Sequence, residues 1–466
     1  MLTYSFPSHN HLTMYEYLYQ CIKDDIIHLK LKPHEKLPSK RAFAKNQNVS
    51  LITIENAYNQ LLIEGYIYSI EKKGYFVSEI QYPNTPIKKT VQLPQEIEKS
   101  YLIDLKTNSV SPNHFPFSTW SKLTRQVLSS QDPALLTRPP QQGCLALREA
   151  ICKHLYAFSG MNVLPQQIII GAGTEYLYNL VIQLLGRQCI YALENPGHHS
   201  ISKVYQINDI SYQYISLDRD GLNIKELEKS HAHVVHISPA HHYPTGITMP
   251  IKRRLDILKW ANYHQGYIIE DDYDSEFRLR GKPISTLYQI DQNERVIYMN
   301  TFSKTLAPSF RISYMVLPVH LVQRFQEKLH FYACSVSSFE QIILAEFMQQ
   351  GYFEKHINRM RNSYKLIRDD FLSQLHMSPI AHQIQITEEN AGLHFLLHYT
   401  SNLHDYEIIQ QAAEIGLHIS TLSQFYDVPY DSHTIVVNYS GLSIHQIPIA
   451  IDLLNRLFTH KTKKAK

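Results

Sequence analysis

Tyr298-Met-Asn-Thr-Phe-Ser-Lys-Thr-Leu-Ala-Pro-Ser-Phe-Arg311 is the stretch on which the reading of this chain turns. At its centre stands Lys304, whose amine can add to an aldehyde and form an imine, a recognised covalent role for lysine. Around it, Thr301, Ser303 and Arg311 offer hydroxyl donors and a permanent forked cation, the groups a phosphate ester needs. Upstream lies Glu270-Asp-Asp-Tyr-Asp274, directly after the apolar run Tyr267-Ile-Ile269, which reads as a buried strand. Carboxylates just past the C-terminal end of such a strand sit where open α/β sheets bind ligands. Taken singly, each piece has an ordinary reading: Ser-Lys as two surface residues, the acidic run as a solvated turn. An acid, a tyrosine, a lysine and an arginine in this order in one chain are much harder to dismiss.

The segment resembles the fold-type I, class I/II aminotransferases. More narrowly, it is similar to the MocR/GabR-type transcriptional regulators, which join a GntR-type DNA-binding domain to an aminotransferase-like domain. The resemblance implies pyridoxal 5'-phosphate (PLP) as cofactor, held as a Schiff base on Lys304. Asp271 would face the pyridine nitrogen, where an ionised carboxylate keeps that nitrogen protonated and makes the ring an electron sink. Tyr273 would donate to the phenolic oxygen, and Asp272 and Asp274 are expected as structural caps.

Outward from this centre, Gln167-Ile-Ile-Ile170 reads as a short buried strand, followed by Gly171-Ala-Gly-Thr-Glu175 and a helix through Leu185. Small residues there let backbone N–H groups close around a phosphate at a positively polarised helix start. Gly173, Thr174 and Glu175 match the family's phosphate loop. After the strand Cys189 to Leu193, His198 stands where the family usually stacks an aromatic ring on the pyridine. Ser200 stands where the GABA-responsive members place an arginine for the effector's carboxylate. Val234-Val-His-Ile-Ser-Pro239-Ala-His-His-Tyr-Pro-Thr-Gly246 resembles the regulators' Pro-Ser-His-Gln-Phe/Tyr-Pro-x-Gly signature. Tyr243 there replaces the asparagine of plain aminotransferases, and His241, His242 or Tyr243 is expected to line the pocket. Arg138 occupies the place of a family tyrosine that reaches the neighbouring subunit's phosphate. The C-terminal part resembles the small domain of the same fold, with strands Gly392 to His398 and Thr434 to Tyr439. The latter lacks the arginine that aminotransferases use for a substrate α-carboxylate. Lys461-Thr-Lys-Lys-Ala-Lys466 reads as a solvated tail.

Residues 1–80 read as a winged helix. Leu12, Leu18, Ile22, Ile26 and Leu29 fall at helical spacing. Ser39 caps a second helix from Lys40 to about Gln47, and Ser50 caps a third from Leu51 to Glu64, with Ile54, Tyr58, Leu61 and Leu62 inward. Tyr66 to Ile70 and Gly74 to Ile80 pair as a hairpin with Lys72 and Lys73 at its tip. Lys36 to Tyr66 resembles the GntR-type domain along its whole length, which puts the start of the third helix in the DNA major groove. Ser39, Lys40 and Arg41 would then hold phosphates, or reach base edges, at the start of the second helix. Ser50, Thr53 and Asn56 would face bases, and Lys72 and Lys73 the backbone. Leu51 stands where the family usually carries an arginine, and bases barely outnumber acids in this region, so affinity per domain is expected to be modest. Residues 81–100, with three prolines between Gln81 and Pro94, read as a semi-rigid linker, and residues 101–466 as the aminotransferase-like domain.

The totals agree with this division. A chain of 466 residues with 44% hydrophobic and 19% charged residues is globular and of more than one domain. A net charge of +3 says little about partners. Cys21, Cys144, Cys152, Cys189 and Cys334 are scattered without metal-ligand spacing, so no metal is expected and the thiols read as reduced in a cytoplasm. Neither a signal peptide nor an apolar run long enough to span a membrane is visible.

The expected fold class is therefore α/β: an N-terminal winged helix-turn-helix plus a PLP-dependent transferase fold. The latter has a large domain with a mostly parallel sheet and a small C-terminal α/β domain. The expected function is a homodimeric, PLP-dependent transcriptional regulator that binds double-stranded DNA. Its effector is PLP, or PLP with an amino acid or amine. Absence of both carboxylate clamps favours PLP itself and control of vitamin B6 metabolism, with at most a residual transaminase half-reaction. The competing reading is a PLP-dependent aminotransferase with an accessory N-terminal domain.

Overall fold

A computed structural model describes residues 2–6, 12–80, 100–279, 281, 284–390, 392–428 and 430–459. It divides into two units, Met1–Glu98 and Lys99–Lys466. The expected linker, apart from its last residue, and the lysine-rich tail lie outside the described residues.

In the first unit, helix α1 (Met14–Ile27) starts at a cap in which the Thr13 backbone N–H and hydroxyl donate to Glu16 Oε2 at 2.8 and 2.6 Å. Leu18, Ile22 and Ile26 are buried as their spacing predicts, but Leu12 and Leu29 lie beyond the helix and are exposed. Leu31 and Leu37 from the following connector complete that core. Helix α2 (Lys40–Gln47) begins at Ser39, whose Oγ accepts from the Ala42 N–H at 3.3 Å. Asn48, at φ 52°, ends it in the left-handed conformation that asparagine tolerates. Ser50 Oγ accepts from the Thr53 N–H at 3.1 Å and starts α3 (Leu51–Ile63). Ile54, Tyr58 and Leu61 are buried and Leu62 is half-buried. Strands β1 (Ile67–Ile70) and β2 (Gly74–Val77) pair antiparallel, Ile70 opposite Gly74, and leave Lys72 and Lys73 exposed at the tip. This is the expected winged helix.

The second unit opens with β3 (Ile103–Asp104) and is built on an eight-stranded sheet. Its strands are β4 (Ile168–Gly171), β5 (Tyr191–Asn195), β6 (Tyr212–Asp218), β7 (Gly221–Leu222), β8 (Val234–Ile237), β9 (Tyr267–Asp271), β10 (Val296–Thr301) and β11 (Ser313–Val316). The order is β4-β11-β10-β9-β8-β5-β6-β7. β6, β5, β8, β9 and β10 run parallel along the sheet, whereas β11 is antiparallel to both β10 and β4, and β7 to β6. Both faces of the central strands are covered, so their sequences open on apolar runs and carry polar residues only towards their C-terminal ends. Ile297 and Met299 of β10 enter the core under helices Thr174–Leu185 and Val319–Leu329. Between them, Tyr298 points into the opposite core with Ile168, Ile170 and Tyr314.

A smaller antiparallel sheet joins β12 (Ile384–Thr387), β13 (His394–Tyr399) and β15 (Thr434–Asn438). Its core takes residues from helices Tyr352–Met377, Asp405–Glu414 and Ile447–Thr459. The short β14 (Leu417–His418) pairs in parallel with β3, which ties the start of this unit to the small domain. Among the described residues no helix is long and apolar enough to cross a membrane.

Candidate functional site

The parallel strands deliver their C-terminal ends to one place. β4 and β5 are consecutive in the chain, yet four strands separate them, and ligands bind α/β sheets where connections diverge in this way. There the second unit holds a cavity of about 600 Å³. Lys304, Asp271, Tyr273, Thr174, Glu175 and His198 line it, as do Thr301, Ser303 and Arg311.

At one end is the floor. β9 places Asp271 with one carboxylate oxygen accepting a hydrogen bond from the Tyr178 hydroxyl and 3.7 Å from His236 Nε2. Its other oxygen, Oδ1, is buried and has no partner among the described residues. The Tyr273 hydroxyl is likewise buried without a partner, and burial holds it firmly protonated. Lys304 donates to the Asn108 carbonyl. Burial pushes its pKa down to about 8, against the pull of the Asp274 carboxylate. The ammonium still predominates at neutral pH, but far more of the amine is neutral, and so nucleophilic, than for an ordinary lysine.

At the other end is an anion cup. Gly173, at φ 95°, precedes helix Thr174–Leu185 and leaves its first N–H groups open. A Cβ on Gly173 would collide with the guanidinium of Arg311, which lies across it. Arg311 itself is held at φ 47° and pairs with Glu175 Oε2 at 2.6 Å. Thr301 Oγ donates to Ser303 Oγ at 2.9 Å and accepts from Ser313 Oγ at 2.9 Å.

The wall between them is aromatic and imidazole-rich. His198 lies 5.9 Å from Tyr243, ring centre to ring centre, and Tyr243 packs edge-on against His394 and Phe425. Burial depresses the pKa of His198 and pushes that of His242 down to about 3, so both are neutral. Tyr243 and His242 line the cavity, whereas His241 is paired with Asp274 at 3.0 Å. Ser200 also lines it. Among the described residues of the wall, Arg311 is the single arginine. Val436 of β15 sits instead in an apolar cluster with Leu396, Leu422, Tyr243 and Phe425. Arg138 is exposed and donates to the Phe331 carbonyl at 2.7 Å.

The expectation for Asp272 and Asp274 is corrected. Neither caps a helix through its side chain: Asp272 accepts from the Tyr298 hydroxyl at 2.8 Å, and Asp274 holds His241. Tyr178 escaped the sequence reading, although it lies one helical turn beyond Thr174 and so on the same face. Asn108, His236 and Glu194 escaped it too. Glu194 lines the cavity and accepts from the Ser238 N–H at 2.9 Å, and burial pushes its pKa up to about 8. Contacts of this kind come from residues distant in sequence and carry no local pattern.

In the winged helix, Ser39, Arg41, Ser50 and Asn56 are exposed and Thr53 is half-buried. Lys40 is turned inward, 3.5 Å from Glu55 and over the Tyr75 ring.

A winged helix of the GntR type and an aminotransferase-like α/β unit define the class as a DNA-binding regulator with an enzyme-derived domain. Residues 14–77 match the bacterial regulatory proteins of the gntR family, and residues 101–453 match aminotransferase class I and II. The chain belongs to the MocR-type HTH transcriptional regulators, which carry both. It is 35% identical to the uncharacterized HTH-type transcriptional regulator YdeL of Bacillus subtilis, over 93% of this chain and 94% of that one. It is 28% identical to the probable rhizopine catabolism regulatory protein MocR of Rhizobium meliloti, over 96% and 94%. With the pyridoxine biosynthesis transcriptional regulator PdxR of Corynebacterium glutamicum it shares 26% over 85% of each chain. The fold of the second unit matches an archaeal alanine:glyoxylate aminotransferase, with TM-score 0.70, 24% identity, and 77% and 91% of the two chains covered.

Proposed function

We propose that this regulator binds PLP as a Schiff base on Lys304 and that occupancy of the site sets its affinity for operator DNA. The unpartnered Asp271 Oδ1 carries the reading: a buried carboxylate oxygen without a donor needs a cationic or N–H partner, and a protonated pyridine nitrogen is one. When bound, PLP supplies an electrophilic aldehyde and an electron-withdrawing ring. Asp271, oriented by Tyr178, holds a proton at the ring nitrogen, and Tyr273 donates its hydroxyl proton to the phenolic oxygen. Gly173, Thr174, Ser303 and Arg311 receive the phosphate, and His198 lies against the ring. Lys304 contributes the amine.

The effector is PLP itself. Among the described residues that line the cavity, an amino acid would find no arginine besides Arg311, and its carboxylate would be poorly held beside Tyr243 and Phe425, which costs both orientation and affinity. The similarity to a pyridoxine biosynthesis regulator supports control of vitamin B6 metabolism. The protein acts as a homodimer, whose two winged helices read two half-sites. The test is fluorescence anisotropy on DNA from the gene's own upstream region, with protein stripped of PLP, reloaded, and then given amino acids. A change with PLP alone is expected. A change only with amino acids overturns the effector assignment, and no binding in any state moves the enzyme reading to first place.

A further inference from the structure

The anion cup contains a feature at odds with tight phosphate binding. Its one guanidinium, Arg311, is already engaged by a carboxylate, Glu175 Oε2 at 2.6 Å. Glu175 is the second residue of helix Thr174–Leu185, so its negative charge lies where the helix N–H groups would attract an anion. The pair is held in place from both sides. Arg311 is fixed by its left-handed backbone at φ 47°, and its guanidinium lies across Gly173, where no Cβ could fit. An ideal Cβ on Gly173 would also come within 3.0 Å of Glu175 Oε2, so the carboxylate sits over the same glycine as the cation. Both side chains are about half exposed, at 51% and 46%, and both line the cavity. An exposed pair of this kind adds little stability of its own and can be parted by a stronger anion. Of the two lysines that line the cavity, Lys304 cannot compensate, because its amine is consumed in the imine, and Lys106 is exposed to solvent.

We propose that Glu175 is a built-in rival of the PLP phosphate, and that its competition for Arg311 keeps PLP exchangeable rather than permanently bound. A phosphate entering the cup must take Arg311 from Glu175 or share it, with the carboxylate left beside a dianion. Either course weakens binding of the phosphate end and leaves the pyridine end untouched. A sensor needs this: a site saturated at all concentrations reports nothing, whereas a weakened one follows the free PLP level. The inference rests on the cofactor reading above and adds to it a residue that sets its working range.

The test is an absorbance titration of stripped full-length protein with PLP, without DNA, comparing the natural chain with Glu175→Gln. Glutamine keeps the shape and removes the charge. The dissociation constant for PLP is expected to fall about tenfold, the order expected for removing one partly screened like charge from a phosphate site. Pyridoxal, which lacks the phosphate, is the second probe, and its affinity should be the same for both proteins. In an Arg311→Gln background PLP should bind more weakly and the gain from Glu175→Gln should largely disappear. Equal or weaker PLP binding by the Glu175→Gln protein, with its melting temperature unchanged, overturns the proposal. So does an equal gain for pyridoxal, which would place the effect outside the cup. Absence of PLP binding in both proteins overturns the cofactor reading and this inference with it. Normal binding without a difference removes this inference alone.

Discussion

Asp271 has one oxygen satisfied by Tyr178 and one left over, and that asymmetry gives a sharp expectation. Asp271→Asn keeps the size but removes the charge that holds a proton on the pyridine nitrogen. A charge-assisted hydrogen bond is worth ~1.5–3 kcal/mol, so PLP binding should weaken by about ten- to a hundredfold, read by the same absorbance titration. Lys304 gives a second prediction, in pH. Its folded-state pKa lies below the ordinary lysine value, at about 8, so the ammonium dominates below that pH and the neutral amine above it. Only the neutral form attacks an aldehyde. The rate at which stripped protein captures PLP should therefore rise with pH through the range around 8 and then level off, as followed by stopped-flow absorbance. A flat profile would mean that the amine is not the group being titrated. At this scale contiguous motifs singled out Lys304 and Asp271, which the structure brings to one cavity. The sequence reading fell short at Asp274, expected as a structural cap: the residue stands at the N-cap of the short helix Ser275–Phe277, but its carboxylate is turned elsewhere. The real partner, His241, comes from another strand end, and no local spacing announces it.

The elements were more legible than the contacts between them. Ser39 and Ser50 were readable as caps because a hydroxyl before an apolar helical period has few other uses, and both accept the expected N–H. Strands β8, β9 and β10 stand out as apolar runs because both of their faces are covered. The reversal at β11 was not legible, since direction in a sheet is decided by the connection and leaves no mark on the strand's own residues. Helix α3 supports a prediction that separates folding from recognition. Ser50→Ala removes the cap and should destabilise the winged helix by about 1 kcal/mol, seen as an earlier thermal transition. Asn56→Ala, at an exposed site, should leave that transition alone and lower operator affinity by about tenfold. If the two variants behaved alike in both assays, α3 would be a structural element and not the reader.

For the whole molecule, the low basic charge becomes a measurable quantity. With Lys40 turned towards Glu55, the exposed cations expected at DNA phosphates are Arg41, Lys72 and Lys73. In a homodimer their contacts imply a slope of roughly −5 for log affinity against log salt. A much steeper slope would show that cations outside this set take part. Coupling between the halves must also be reciprocal: whatever factor PLP applies to operator affinity, operator DNA must apply to PLP affinity. Titrating PLP with and without operator checks this directly, and unequal factors would show that the two bindings are not linked at equilibrium. Neither half's charge nor its composition reveals such coupling, which is why the sequence points to two domains but not to their conversation.

One pairing described above bears on how a message could leave the cavity. β14 pairs with β3, and its His418 is a wall residue of the cavity. The same imidazole stacks on Tyr101 with ring centres 4.3 Å apart and lies 3.2 Å from Asp104 Oδ1. Tyr101 and Asp104 belong to the stretch by which the chain arrives from the DNA-reading half. The rim of the cavity is therefore fastened to the residues with which the second unit begins, so a substitution at His418 would loosen the cavity wall and the entry strand together.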